Sequence, residues 1–253
     1  MKRRTLLATT GTLAAAGLLW WQRNTLAQTL ITAGEANTTS PLTPSSLDTP
    51  ECTLTPEQVE GPFFFKAPMR QNLVEDRQGL ALNLQLQVVR NDGCSPMSGA
   101  YVEIWHCDAQ GIYSGYPDNL GRRPFDTLLY MAANGSDGHV PPENTGTFLR
   151  GAQVTDTAGM VQFDTIFPGW YAPRAPHIHV KVFVEGQSYL TTQLYFDDAY
   201  SHDIYSNHSL YAPYGTTPYK NTNDTLLSDG TGLLLQPQKL AGTLSTSARL
   251  VLS

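Results

Sequence analysis

Cysteine is scarce and poorly spaced for holding a metal. Only Cys52, Cys94 and Cys107 occur, with no CxxC pair among them, which argues against a zinc–thiolate site. In an oxidising compartment two of the three can pair and leave one free, and spacing alone does not say which two. Charge is scarce as well, at 15% of residues, and the 16 basic side chains are outnumbered by 22 acidic ones. With no basic stripe anywhere, the chain is a poor candidate for binding nucleic acid. Past the first 27 residues no apolar run is long enough to span a membrane. Helical periodicity is weak throughout and no internal repeat is visible, so helical bundles and solenoids are set aside.

The N-terminal segment has a definite layout. Lys2, Arg3 and Arg4 form a basic start, Leu6 to Trp21 is mostly apolar or small, and Ala27 follows as a cleavage point. That is the plan of a signal peptide over residues 1–27. Arg3-Arg4 followed by Thr5-Leu6-Leu7 suggests the twin-arginine export route. A periplasmic or extracellular location is therefore expected, with no stable membrane span after cleavage. Removing Lys2, Arg3, Arg4 and Arg23 with the leader leaves 12 basic residues against 22 acidic, a net charge near −10. Residues 28–50 are rich in Thr, Ser, Pro and Ala and read as a flexible linker. One folded domain is expected over residues 51–253.

The domain reads as all-β. Leu82, Leu84, Leu86 and Val88 alternate with Asn83, Gln85 and Gln87, the period of a half-buried strand. Asn91-Asp92-Gly93 closes it with a turn. Ala100 to His106 is rich in Val, Ile, Tyr and Trp and reads as a second strand. Met160 to Phe163 follows a turn at Asp156 to Gly159. Ile178, Val180, Val182 and Val184 alternate again, Tyr189 to Phe196 follows Glu185-Gly186-Gln187, and Arg249 to Leu252 closes the chain. Short strands between Gly, Pro and Asn turns favour a β-sandwich. Tyr116 to Gly146 has no period and reads as a long functional loop.

The sharpest local feature is Arg174-Ala175-Pro176-His177-Ile178-His179-Val180. On a strand, residues i and i+2 share a face, so His177 and His179 project together while Ile178 points into the core. Two imidazoles on one rigid face make half a metal site. On its own the pair is only weak evidence for a metal, the bland alternative being two solvent-facing histidines on an edge strand. Upstream, Pro168-Gly169-Trp170-Tyr171 places a tyrosine after a turn. Earlier still, the strand ending Trp105-His106-Cys107 runs through a Gly-containing turn to Tyr113.

At these residues the sequence resembles the intradiol ring-cleavage dioxygenases, relatives of catechol 1,2-dioxygenase and protocatechuate 3,4-dioxygenase, in an exported single-domain form. The resemblance runs from about Cys52 onward. It is carried by Thr55-Pro56-Glu57-Gln58 with Gly61-Pro62-Phe63, by Val102-Glu103-Ile104-Trp105 through Gly111-Ile112-Tyr113, and by Thr155-Asp156 through Tyr171. Arg174 to His179 and Thr192 to Phe196 complete it, in order. It implies an immunoglobulin-like or transthyretin-like sandwich with long loops around a metal site. One Fe(III) per chain would be held by Tyr113, Tyr171, His177 and His179. The substrates would be a small aromatic diol and dioxygen, with the ring opened between its two hydroxylated carbons to a muconate-type diacid. Tyr171 is the ligand expected to leave when the diol binds. Arg174 is expected to stabilise charge on the ring, Gln193 to hydrogen-bond near Arg174 or the ligands, and Gly61, Pro62 and Phe63 to line the pocket mouth. Hard ferric iron favours phenolate oxygen, and the cation offsets a phenol's reluctance to ionise below pH ~10.

Tyr116 is the rival to Tyr113, and the family's Gly-x-Tyr spacing favours Tyr113. His106 reads as structural, and His139, His202 and His208 as solvent-exposed. Only Ala172 and Pro173 separate Tyr171 from Arg174, fewer residues than in better-known members. The pocket is therefore expected to be more open on that side, with the 116–147 loop available to cover it. A helical dimerisation region is also missing, which leaves oligomeric state and the particular catechol open. Two rival readings remain: a non-catalytic transthyretin-like extracytoplasmic binding module, and a zinc or copper site on His177 and His179.

Overall fold

The computed structural model describes residues 43–44, 52–116, 124–134, 139–224, 227 and 232–253. All of them belong to one compact unit, residues 38–253. The leader expected at 1–27 and most of the linker expected at 28–50 lie outside the described residues. Among the described residues no helix is long and apolar enough to cross a membrane.

Ten strands are described: β1 (Thr43–Pro44), β2 (Ala81–Arg90), β3 (Tyr101–Trp105), β4 (Arg150–Val154), β5 (Met160–Ile166), β6 (His177–Val184), β7 (Gln187–Phe196), β8 (Leu233–Leu235), β9 (Gln238–Leu240) and β10 (Thr243–Leu252). They form a six-stranded sheet, β1-β8-β7-β6-β3-β4, and a four-stranded sheet, β5-β2-β10-β9. The alternation read from sequence sets their faces. Leu82, Leu84, Leu86 and Val88 of β2, Phe163 of β5 and Leu250 of β10 point inward from the smaller sheet. They meet Val102 and Ile104 of β3, Ile178, Val180 and Val182 of β6, and Leu194 of β7. Apart from buried Thr165, Thr192 and Thr246, both inner faces are apolar, so the sandwich is held chiefly by burial of this layer.

Two helices are described beside the sheets of this mostly β fold. α1 (Pro124–Asn134) lies within the stretch read as an irregular loop. Pro at its first position and Asp126 in its first turn are proper start signals, masked by the Gly- and Asn-rich sequence on either side. α2 (Asp198–Asn207) is capped by Asp197, whose side chain accepts from Tyr200 N at 2.9 Å.

Cys52 pairs with Cys94, and Cys107 is a buried thiol that donates to Gly169 O at 3.4 Å. The bridge closes a loop of sequence separation 42 and ties the start of the domain to the turn after β2. Thr55 continues the attachment: its amide donates to Val251 O at 3.0 Å and its hydroxyl accepts from Val251 N at 2.8 Å. Chain-entropy arithmetic for such a loop gives about 4 kcal/mol as a ceiling. Reduction, or Cys52→Ala, is expected to lower the unfolding free energy by about 2–4 kcal/mol. Denaturant midpoints measured with and without reductant check this, and coincident midpoints would show the bridge to be idle.

Candidate metal centre

The site is built on the outer face of the six-stranded sheet, opposite the apolar layer. Cross-strand register places Arg150 of β4 beside Trp105 of β3, Trp105 beside His179 of β6, and His179 beside Gln193 of β7. One transverse row thus runs Arg150–Trp105–His179–Gln193. The next row over holds His177 and Tyr195. Strand alternation puts His177 and His179 on this face and Ile178 in the core, as the period-two reading requires. Trp105 and His179 stack, with ring centroids 4.7 Å apart and planes 2° from parallel. Gly61 closes the other side: a Cβ there would lie 3.3 Å from His179 Cε1, and its φ of +78° suits glycine.

Two loops deliver the tyrosines. Asp108 Oδ1 accepts from Gln110 N at 2.9 Å and Ile112 N at 3.0 Å, which folds the chain after β3 into a tight turn ending at Tyr113. Gly111, at the tip, packs so closely on the other loop that a Cβ would lie 2.2 Å from Trp170 O. Gly169 N donates to Asp108 O at 3.0 Å. These close approaches bring Tyr113 beside Tyr171. Ala172 and Pro173 then form a two-residue turn, with Arg174 N donating to Tyr171 O at 2.9 Å.

The four side chains converge. The phenol oxygens of Tyr113 and Tyr171 are 3.4 Å apart, Tyr171 Oη is 3.2 Å from His177 Nε2, and His177 Nε2 is 3.0 Å from His179 Nε2. All four residues are buried. His177 Nδ1 lies 2.6 Å from Ala175 O. A carbonyl can only accept, so Nδ1 carries the proton and Nε2 presents its lone pair to the cluster. Burial, reinforced by nearby Arg174, holds both histidines well below the usual imidazole range and therefore neutral. Burial also pushes Tyr171 up to about 12 and Tyr113 well above the ordinary phenol value.

This donor set suits a hard, multiply charged cation. Neutral imidazoles that face one another across 3.0 Å need a proton or a cation between them. The buried phenols stay protonated unless a cation offsets the desolvation. Among the described residues, no group of three or more His, Cys, Asp or Glu could hold a metal. A centre confined to the ligand types typical of zinc would therefore be incomplete here. Among the described residues, Tyr113, Tyr171, His177 and His179 together form a donor set that could hold a metal.

Arg174 lies against the cluster, Nη1 3.4 Å from His177 Nε2. Its Nη2 donates to Gln193 Oε1 at 2.5 Å and to Tyr195 Oη at 3.2 Å. Its Nε donates to Asp224 Oδ1 at 2.8 Å. Gln193 is thus placed next to Arg174, where it was expected. Tyr195 and Asp224 were missed. Tyr195 carried a signal, since it lies two residues from Gln193 on the same strand face. Asp224 follows a short 3-10 turn at Asn221–Asn223 and had no local cue.

Gly61 to Phe63 adjoin the cluster, and Phe63 packs on Tyr113 with centroids 4.9 Å apart. Both described ends of the 116–147 loop reach them. Tyr116 packs on Phe63 and donates to Val140 O at 2.8 Å, and Val140 N donates to Pro62 O at 2.9 Å. Tyr116 is thereby occupied away from the four donors. His106 is fully buried between Cys107 O and Thr165 Oγ1, a structural position. His139 keeps 37% of its side chain exposed and pairs with Glu60, which also binds Lys181. His202 is exposed, and His208 is half-buried with Nδ1 accepting from Leu210 N at 3.3 Å.

A family model described as Dioxygenase matches residues 56–212. Similar curated proteins include a chlorocatechol 1,2-dioxygenase of Pseudomonas putida, 26% identical over 163 residues and covering 55% of this chain and 52% of its own. A catechol 1,2-dioxygenase of Pseudomonas sp. (strain EST1001) is 30% identical over 159 residues, covering 60% of this chain and 50% of its own. This chain therefore spans about half the length of those relatives. Among solved structures, an intradiol ring-cleavage dioxygenase from Tetranychus urticae is 34% identical with a TM-score of 0.69, and the match covers 80% of this chain and 95% of that one. The family match takes in all four converging donors as well as Arg174 and Gln193, and the chain belongs to the intradiol ring-cleaving dioxygenases.

Proposed function

We propose that this protein is an exported Fe(III) dioxygenase that opens catechol-type rings between the two hydroxylated carbons to give muconate-type diacids. The observation that carries the proposal is the contact chain Tyr113 Oη–Tyr171 Oη–His177 Nε2–His179 Nε2, each link 3.0–3.4 Å. When bound there, ferric iron would draw electron density from a catecholate and open the ring carbon to dioxygen. The side chains supply the rest. With a cation offsetting its desolvation, Tyr171 would be a phenolate, and its oxygen, between Tyr113 and His177, would be the base placed to take a catechol proton. Arg174 directs Nη1 at the cluster and stabilises negative charge on the ring. Phe63 packs on Tyr113, and Tyr116 packs on Phe63 behind it, which keeps water from that side. A binding module without catalysis would give no reason to bury four mutually facing donors beside an arginine. Export is supported by the leader at residues 1–27 and by the Cys52–Cys94 bridge.

The test is colour. Ferric iron on tyrosinate absorbs in the visible, so the iron-loaded protein is expected to be red to burgundy and to consume dioxygen with catechols. Tyr113→Phe and Tyr171→Phe are each expected to alter that band. A colourless, fully loaded protein sinks the proposal, and an unaltered band in both variants sinks the ligand assignment.

A further inference from the structure

The buried ion pair behind the cluster holds Arg174 in one orientation. The Asp224 side chain is wholly enclosed. Its oxygens accept from Arg174 Nε at 2.8 and 3.0 Å, and Oδ2 also accepts from Ala175 N at 2.9 Å. One carboxylate thus fixes both the side chain and the backbone just ahead of Pro176 and His177. On the opposite edge, Gln193 Oε1 and Tyr195 Oη take Nη2. Gln193 and Tyr195 are themselves fixed, since Gln193 Nε2 donates to Val59 O at 2.6 Å and Tyr195 Oη donates to Gln58 Oε1 at 3.0 Å.

A guanidinium has five N–H groups in a planar fork. Nε and both positions on Nη2 are taken. Nη1 remains, and its near neighbour is His177 Nε2, whose lone pair belongs to the donor cluster. The carboxylate also offsets a cation that would otherwise be buried alone.

We propose that Asp224 is a positioning residue for ring cleavage: by clamping Nε of Arg174 and the amide of Ala175, it leaves Nη1 as the one guanidinium edge turned toward the substrate. The described hydrogen bonds of Asp224 go to Arg174 and Ala175 and to none of the four donors. The inference rests on the proposed function, since it assigns Asp224 a part in that reaction.

The experiment uses the full iron-loaded chain, with catechol and dioxygen as probe substrates. Asp224→Asn and Arg174→Met are made singly and together, and iron per chain, the visible band, kcat and KM are measured. Asp224→Asn is expected to keep its iron and its band, to lose roughly 10- to 100-fold in kcat per iron, and to change KM by less than about threefold. Beside Arg174→Met, the same change is expected to alter kcat less than about twofold, because the group it positions is gone. A purely structural ion pair would lower thermal stability and leave kcat per iron at the wild-type value, and that result overturns the proposal. So does an Asp224→Asn loss that is as large with Met at 174 as with Arg. If Asp224→Asn does not fold, Asp224→Glu carries the test: a several-fold kcat loss confined to the Arg174 background supports the proposal, and unchanged kcat overturns it. A wild-type chain with neither ferric iron nor band, which is seen before any variant is compared, overturns the underlying function and the inference with it.

Discussion

His179→Ala is expected to give a colourless protein with less than about a tenth of the wild-type iron and no measurable ring cleavage, while remaining folded. Loss of a metal's outer partner alone costs about 10- to 100-fold in affinity or activity, and removing a donor should cost more. His179 also has no substitute nearby. On its row the neighbours are Trp105, stacked on its ring, and Gln193, which is committed to Arg174 and to Val59 O. Gly61 offers no side chain at all. The fold should survive because His179 is on the outer face of the sheet and the sandwich is held from the inner one. Iron analysis, the visible spectrum and far-UV circular dichroism decide the matter together. Retained colour and stoichiometry would remove His179 from the ligand set. His106→Ala is the control, since that ring is equally buried but bonded to Cys107 O and Thr165: it is expected to lose stability and keep the band.

The same alternation that made the fold legible made half of the site legible. Ile178, Val180 and Val182 announce a strand with one face in the core, and the opposite face then has to carry His177 and His179. Nothing in that period says what the two histidines face. The answer depends on Gly111 meeting Trp170 O and on Gly169 bonding Asp108 O, contacts between loops that no local pattern encodes. Tyr113 and Tyr171 were therefore reachable through motif resemblance and not through spacing. Asp224 was reachable through neither, because its partner is 50 residues away and it follows a short turn without periodicity. The helices were hidden for a local reason. α1 has a sound start in Pro124 and Asp126, but it is embedded in the glycine- and asparagine-rich stretch that marks a loop.

Arg174→Met is expected to be damaging in two separable ways. The first is catalytic. A donor aimed at charge that develops in a buried transition state is worth about 10²–10³ in kcat, and Nη1 is the group so aimed. The second is structural. Asp224 is as enclosed as its partner, so removing the guanidinium takes the paired cation from a buried carboxylate, at a cost of about 3–5 kcal/mol. Neutralising Asp224 as well should relieve most of the second loss and none of the first, since Asn and Met bury without an unpaired charge. Arg174→Met/Asp224→Asn is thus expected to melt several degrees above Arg174→Met and to remain equally slow on catechol. If stability and kcat recover together in the double variant, the slow reaction of Arg174→Met is a consequence of poor folding, and Arg174 has no electrostatic part in the chemistry. If stability recovers alone, the arginine acts on the ring, and the ion pair exists because a cation buried there must have a partner on its far side.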